Sequence, residues 1–233
     1  MKFIHQIPEK KCLLGIVVAQ NVETQVYPAS FEADLEQLLV QRKQILTSRE
    51  EGLRAAARNM LRNGSYKPTG RGKPASEYLL AAAQNDGSFP RINSLVDVNN
   101  FMSLQSLLPI SLWDIELAQS DTFLFRLGLD DERYVFNAGG QTIGLKDLVL
   151  GCKVTADAAH GFPIVNPIKD SMATKTKPET RHIAAAIYAP NPGITLAELE
   201  AITAQFAEML RACSAGGQAT WGILAPENTL TLG

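Results

Sequence analysis

Cysteine is scarce in this chain and unpatterned: Cys12, Cys152 and Cys213 are odd in number and far apart, with no Cys-x-x-Cys pair and no histidine at ligand spacing. That excludes a disulfide framework and a structural zinc site, and it points to a reducing compartment, so the chain is expected in the cytoplasm. Long apolar runs are missing too. Near the N-terminus the longest is the six-residue Leu13 to Val18, with charge on both sides, too short for a signal h-region or a membrane span. Strong net charge is absent: the total is −2, so bulk electrostatics do not draw the molecule to nucleic acid. There is also no internal repeat, low-complexity tract or long linker. What is present is ordinary globular composition, 45% apolar and 20% charged over 233 residues. A chain of this size buries about 70% of its unfolded surface, enough for a core without metal or disulfide.

The charge that exists is unevenly placed. Arg62, Lys67, Arg71 and Lys73 give +4 within twelve residues with no acid among them. Lys169 to His182 adds Lys169, Lys175, Lys177 and Arg181 against Asp170 and Glu179, which leaves the rest of the chain at −8. A solvated face is the bland explanation of such runs. The stretch Arg62 to Asp114 is nonetheless unlike core filler, because Lys67, Arg71, Lys73, Arg91, Asn93, Asp97, Asn99 and Asn100 are interleaved with its apolar positions.

Hydrophobic periodicity divides the chain. Leu13 to Val18 suits a buried strand, and Ser30 opens a helix whose spacing runs through Phe31, Leu35, Leu38 and Leu39 and resumes after Thr47-Ser48 until Asn63-Gly64. Gly64 to Pro74 holds three glycines and two prolines in eleven residues, a loop able to turn sharply or approach a ligand closely. Pro74 fits the first position of the next helix, and Asn93 opens another, with Leu95, Val98 and Met102 toward the core and Asp97, Asn100 and Ser103 on a different side. After Asp114 the texture turns to strands at Thr122 to Leu127, Arg133 to Phe136 and Leu148 to Lys153, separated by Asp130-Asp131, Gly139-Gly140 and Asp157 to Gly161. Ile183 to Tyr188 is a further strand. Thr195-x-x-Glu198 is a capping box before a helix, and Ala219 to Leu224 is the last strand. The reading is one α+β domain over residues 1–233, with a helical N-terminal extension at 30–62 and a C-terminal helix and strand at 195–225.

Several chemistries fail on the residues. Gly72-Lys73 is followed by Pro74 and not by Ser or Thr, so no phosphate loop is present. No Gly-x-Ser-x-Gly occurs, and His5, His160 and His182 lie in unrelated contexts; His160 beside Gly161 reads as a loop residue, and Asp157-Ala-Ala-His160 lacks partners for a metal. No cofactor and no metal are implied. The remaining candidates are Asn99, Asn100, Ser111, Asp114, Asp170, Ser171, Thr174 and Thr176. Singly, each reads better as a cap or turn former than as a catalytic group. Together, flanked by cations, they can orient a water and an ester carbonyl without a covalent intermediate.

The same residues carry a family likeness. The run Arg91-Ile-Asn-Ser-Leu-Val-Asp97-Val-Asn-Asn100-Phe, followed by Pro109-Ile-Ser-Leu-Trp-Asp114, resembles the B3/B4 domain of the β subunit of bacterial phenylalanyl-tRNA synthetase. Asn137-Ala-Gly-Gly140-Gln-Thr-Ile with Leu145 to Leu150 looks like that domain's glycine turn and following strand, and Pro178-Glu-Thr180 with Ile183 to Pro190 looks like its closing element. Tyr66 to Gly70, Glu77 to Leu80 and Asp170-Ser171 are closer to its free-standing relatives. The likeness covers about 62–190 and implies a mixed sheet packed with helices.

In the synthetase this domain hydrolyses amino acids wrongly attached to tRNA, so the resemblance implies a trans-acting aminoacyl-tRNA deacylase. Asn100, Ser111 and Asp170 become the catalytic candidates, helped by the substrate's terminal ribose hydroxyl, with Asn99, Asp114, Ser171 and Thr174 on the substrate. Lys67, Arg71, Lys73 and Arg91 are the expected contacts to the tRNA acceptor end, where a single-stranded terminus is accessible. Ser111 stands where the synthetase has a pocket histidine in Pro-Leu-His-Ala-Phe-Asp, and Trp113 replaces the phenylalanine. These departures put tyrosine in question and leave the amino acid open, with a smaller or hydroxylated one among the candidates. Two rival classes are a tRNA or amino-acid binding module without chemistry, and a small-molecule hydrolase on the same scaffold.

Overall fold

A computed structural model describes residues 1–8, 11–85 and 88–233 of the chain. In chain order the elements are β1 (Lys2–His5), β2 (Cys12–Gln20), α1 (Phe31–Arg42), α2 (Ser48–Met60), α3 (Ala75–Asn85), α4 (Ser94–Ser106), β3 (Ile110–Asp114), α5 (Ile115–Ala118) and β4 (Thr122–Leu127). There follow β5 (Arg133–Val135), β6 (Thr142–Gly144), β7 (Val149–Thr155), β8 (Ala158–Val165), β9 (His182–Pro190), α6 (Leu196–Arg211), β10 (Gln218–Leu224) and β11 (Thr229–Thr231). Short 3-10 turns occupy Gly70–Gly72 and Met172–Thr174.

β2 reads as a continuous apolar run, without alternation, because both of its faces are covered. It pairs antiparallel with β9 and β10 in a four-stranded sheet ordered β10-β2-β9-β3. On one face Val17, Ala19, Ile183, Ala185 and Ile187 pack against Phe31, Leu35, Leu95, Val98 and Phe206 of the helices. On the other, Leu14, Ile16, Ala184, Ala186 and Tyr188 meet Phe3, Phe123, Phe125 and Val165 of a five-stranded sheet ordered β11-β1-β4-β7-β8. The result is three layers: helices, sheet, sheet. The N-terminal strands and α1, and the C-terminal α6, contribute to these same two cores.

Local signals explain where the helices start. Thr47 and Glu50 form a reciprocal capping box that restarts the chain as α2, and Thr195 with Glu198 does the same for α6. Asn93 caps α4 by accepting from the Val96 N–H at 3.1 Å.

On the polar side of α4, Asp97 and Ser103 are buried. Asp97 accepts from the Tyr27 hydroxyl and the Ile92 N–H, both at 2.8 Å, and pairs with Arg91 Nε at 2.9 Å, while the Ser103 hydroxyl donates to the Leu108 carbonyl. Only Asn100 of that trio stays half-buried. One expectation is corrected: the break expected at Asp157 to Gly161 is confined to a turn at 156–157, since β8 begins at Ala158 and His160 lies within it. β8 is an edge strand, where Pro163 is tolerated, so a segment that reads as breakers still pairs with β7.

At Gly15, in the middle of β2, a side-chain methyl would collide with the Thr203 hydroxyl of α6 and lie 3.3 Å from Ile187 Cδ1. Gly15→Ala is therefore expected to destabilise the fold by about 1–3 kcal/mol in denaturant titration; a variant as stable as the parent would contradict this packing of α6 on β2.

Candidate active site

β3 is an edge of the four-stranded sheet, and its two-residue alternation decides which side chains face the helices and which face the second sheet. Ile110 and Leu112 point to the helical side, whereas Trp113 lies between the sheets with its ring 5.2 Å from that of Phe123. Ser111 shares the inner side: it is fully buried and accepts a hydrogen bond from the Tyr188 hydroxyl at 3.3 Å.

The segment after β8 follows the open edge of β3. Asn166 builds its turn, with its side-chain oxygen accepting from the Ile168 and Lys169 N–H groups at 2.8 and 2.9 Å. Its amide nitrogen donates to the Tyr134 hydroxyl, which in turn donates to the Lys169 carbonyl at 2.8 Å. The turn delivers Asp170 to the strand edge. Asp170 Oδ1 lies 2.7 Å from Ser111 Oγ and accepts from the Asn166 N–H at 3.2 Å, and Oδ2 accepts from the Leu112 N–H at 3.4 Å. Ser111 Oγ is also 3.1 Å from the Asn166 carbonyl. Its single proton serves one acceptor at a time.

A pocket of about 250 Å³ opens there, walled by Ala75, Ile92, Val96, Ile110 and Leu112, with Asn99, Asn100, Asp170, Lys175 and Thr176 supplying the polar groups. Thr176 is fixed by a hydrogen bond from Asn93 at 3.0 Å, and Lys175 donates to the Phe136 carbonyl at 2.7 Å. Asn99 is 7% exposed; its amide nitrogen is 3.5 Å from the Ile110 carbonyl and its side-chain oxygen has no partner. An unpaired buried acceptor is costly, so this one suits a donor brought by a ligand.

The expected site residues separate accordingly. Asn99, Asn100 and Asp170 share the pocket. Ser111 does not line it and instead holds Asp170 from behind. Asp114 caps α5 through the Leu117 N–H and accepts from the Thr180 hydroxyl, so it is occupied away from the pocket. Ser171 caps the Met172–Thr174 turn, and Thr174 is buried. Of the cations, Lys67 and Arg71 are exposed, and Lys73 is half-buried beside a separate hollow with Arg54 and Glu77. Arg91 does not join them. It is held by both carboxylate oxygens of Glu32, at 2.9 and 2.7 Å, by Asp97, and by the rings of Tyr27 and Phe31. Asn166, Tyr134, Tyr188 and Lys175 were not among the sequence candidates, although Asn166-Pro167 is a turn signal.

Loss of hydration pushes the Asp170 carboxyl up from 3.8 to about 7, against the opposing pull of the Ser111, Asn166 and Leu112 hydrogen bonds and the Lys175 charge. Burial likewise holds Tyr134 and Tyr188 well above their ordinary range, so both remain hydroxyl donors. Among the described residues no group of three His, Cys, Asp or Glu could hold a metal ion. No helix among them is long and apolar enough to cross a membrane.

These elements define an α+β domain with mixed sheets and a polar-floored pocket at a sheet edge. A family model for the B3/4 domain matches residues 67–204, and the chain belongs to that family. No curated protein matches it. Among solved structures it is similar to an N-terminal fragment of the phenylalanyl-tRNA synthetase beta-subunit from Pyrococcus horikoshii, at 10% identity and a TM-score of 0.39, over 54% of this chain and 41% of that one. The chain thus spans about two fifths of that fragment's length.

The Asp170 carboxyl is expected to titrate near pH 7, read from its ¹³C chemical shift. Because the folded state keeps a proton that the unfolded chain releases near pH 4, this group's contribution to stability falls as pH rises from 4 to 7. A midpoint below 5 would remove the desolvated environment assigned to it.

Proposed function

We propose that this protein hydrolyses the ester between an amino acid and the 3′ end of tRNA, acting in trans on mischarged molecules. The observation that carries the reading is the convergence of Asn99, Asn100 and Asp170, from two sequence-distant segments, on one pocket in a B3/4 domain. The pocket suits one esterified residue: apolar walls for a small side chain, and the free oxygen of Asn99 for its ammonium group or a side-chain hydroxyl. Asn100 lines the pocket and makes no side-chain hydrogen bond of its own, so its amide is available to the ester carbonyl as negative charge develops on that oxygen.

Asp170 supplies the base. A carboxyl held near neutrality is ionised often enough to take a proton and basic enough to take it from water. Water oxygen attacks the ester carbon as Asp170 removes its proton, the bond from that carbon to the ribose oxygen breaks, and the proton ends on that oxygen. Ser111 acts as a positioning residue by fixing the carboxylate. Exposed Lys67 and Arg71, with Lys73, attract the acceptor end.

Asp170→Asn is expected to lower kcat on a mischarged tRNA by about 10²- to 10⁴-fold. The parent's kcat/KM should rise with pH around a midpoint near 7, and the variant should lose that rise. Undiminished turnover in the variant would remove Asp170 from the reaction, whereas salt-sensitive tRNA binding with no ester cleavage in the parent would favour a binding module. Replacing Lys67, Arg71 and Lys73 together by alanine should reduce the steepness of the log-affinity against log-salt plot by about 2; an unchanged slope would place the tRNA elsewhere.

A further inference from the structure

A second hollow of about 520 Å³ opens beside the small pocket, and the two share Ala75 and Asn100. Its character is different. Tyr78, Leu79, Phe89, Pro90 and Ile168 make it largely apolar and partly aromatic, and its volume lies in the range of small-molecule sites. Tyr78 is 43% exposed, more than core packing explains, and its hydroxyl donates to the Gly70 carbonyl at 3.0 Å, which fixes the ring at the rim. Lys169 also lines this hollow, and its ammonium rests 4.2 Å above the Phe136 ring. Lys169 also borders a third, more polar hollow of about 910 Å³, to which Arg71 contributes.

The hollows therefore adjoin in one order: the carboxylate pocket meets the aromatic hollow at Ala75 and Asn100, and the aromatic hollow meets the polar one, lined also by Arg71, at Lys169. An esterified 3′ end has the same order: amino acid, ester, nucleoside, phosphate. The geometry points to the Tyr78–Phe89 hollow as the binding site for the terminal adenosine of the tRNA. The purine lies against Tyr78 and Phe89, the ribose reaches Asn100, and the 5′ phosphate faces Lys169 and Arg71. An aromatic wall with few polar groups accepts a base through its π-face, and the adjoining cations match the phosphate that follows it. A purely apolar ligand would leave those cations without a role. The inference rests on the small pocket being the aminoacyl site, since that pocket sets the direction in which the substrate runs.

The test uses non-hydrolysable probes, 3′-deoxy-3′-aminoacylamino-adenosine carrying serine, alanine or tyrosine, alongside the corresponding free amino-acid amides. Calorimetric Kd values are measured for the parent, Tyr78→Phe, Tyr78→Ala and Ala82→Phe, with circular dichroism to confirm folding. In the parent the nucleoside should tighten binding about tenfold or more over the amide, the size of one base stacked on an aromatic ring. Tyr78→Phe should keep that gain. Tyr78→Ala, which removes the wall, and Ala82→Phe, which fills the hollow, should lose it. Equal Kd for nucleoside and amide probes in the parent, or a full gain in Ala82→Phe, would overturn the assignment. Nucleoside-dependent binding by a protein that cleaves no mischarged tRNA would uphold the adenosine site and remove the hydrolysis.

Discussion

The contact between Asp170 and the edge of β3 organises the site. A strand edge leaves backbone donors unpaired, and here one of them, the Leu112 N–H, is met by a carboxylate carried on the following loop. The same carboxylate takes the Ser111 hydroxyl and the Asn166 N–H, so one side chain closes the loop, terminates the sheet and floors the pocket. Lys175 and Thr176 are then held opposite α4 by the Asn93 to Thr176 bond, the Lys175 bond to the Phe136 carbonyl and the Ser171 N–H bond to the Ile164 carbonyl.

The cost of the arrangement is electrostatic, and the three-layer fold bears it. Burying a carboxylate disfavours its charge, and the neighbouring Tyr134 and Tyr188 hydroxyls are buried as well. The aromatic and aliphatic packing of Phe3, Phe123, Phe125 and Trp113 between the sheets supplies a rigid backing against which this polar network is set. Among the described residues three buried side-chain atoms lack a partner: Asn99 Oδ1 beside the pocket, Trp113 Nε1 between the sheets and Thr174 Oγ1. Of these, the Asn99 atom belongs to a residue that lines the pocket.

Much of the fold was legible in the sequence where periodicity was long or capping was strong. The Thr195-x-x-Glu198 box marks α6, Asn93 marks α4, and the apolar run at Leu13 marks β2. β8 was not, because Gly161 and Pro163 resemble breakers when the pairing partner is unknown, and β1, β6 and β11 are too short for a pattern to emerge. For the site, Asn99, Asn100 and Asp170 could be named from residue type and family likeness. The assignment of Ser111, Asp114 and Arg91 could not be refined in that way. Which face of β3 a side chain takes, and whether a cation is already engaged by Glu32 and Asp97, depend on contacts far away in sequence.

The central claim is that a pocket floored by Asp170 cleaves an aminoacyl ester. The most direct measurement is to incubate the protein, at substoichiometric concentration, with total tRNA charged with a panel of non-cognate amino acids and to follow each ester over time. The expected result is multiple-turnover loss of one or a few small or hydroxylated aminoacyl esters while the others persist. Persistence of every ester at the spontaneous rate, with tRNA still bound, would contradict the claim.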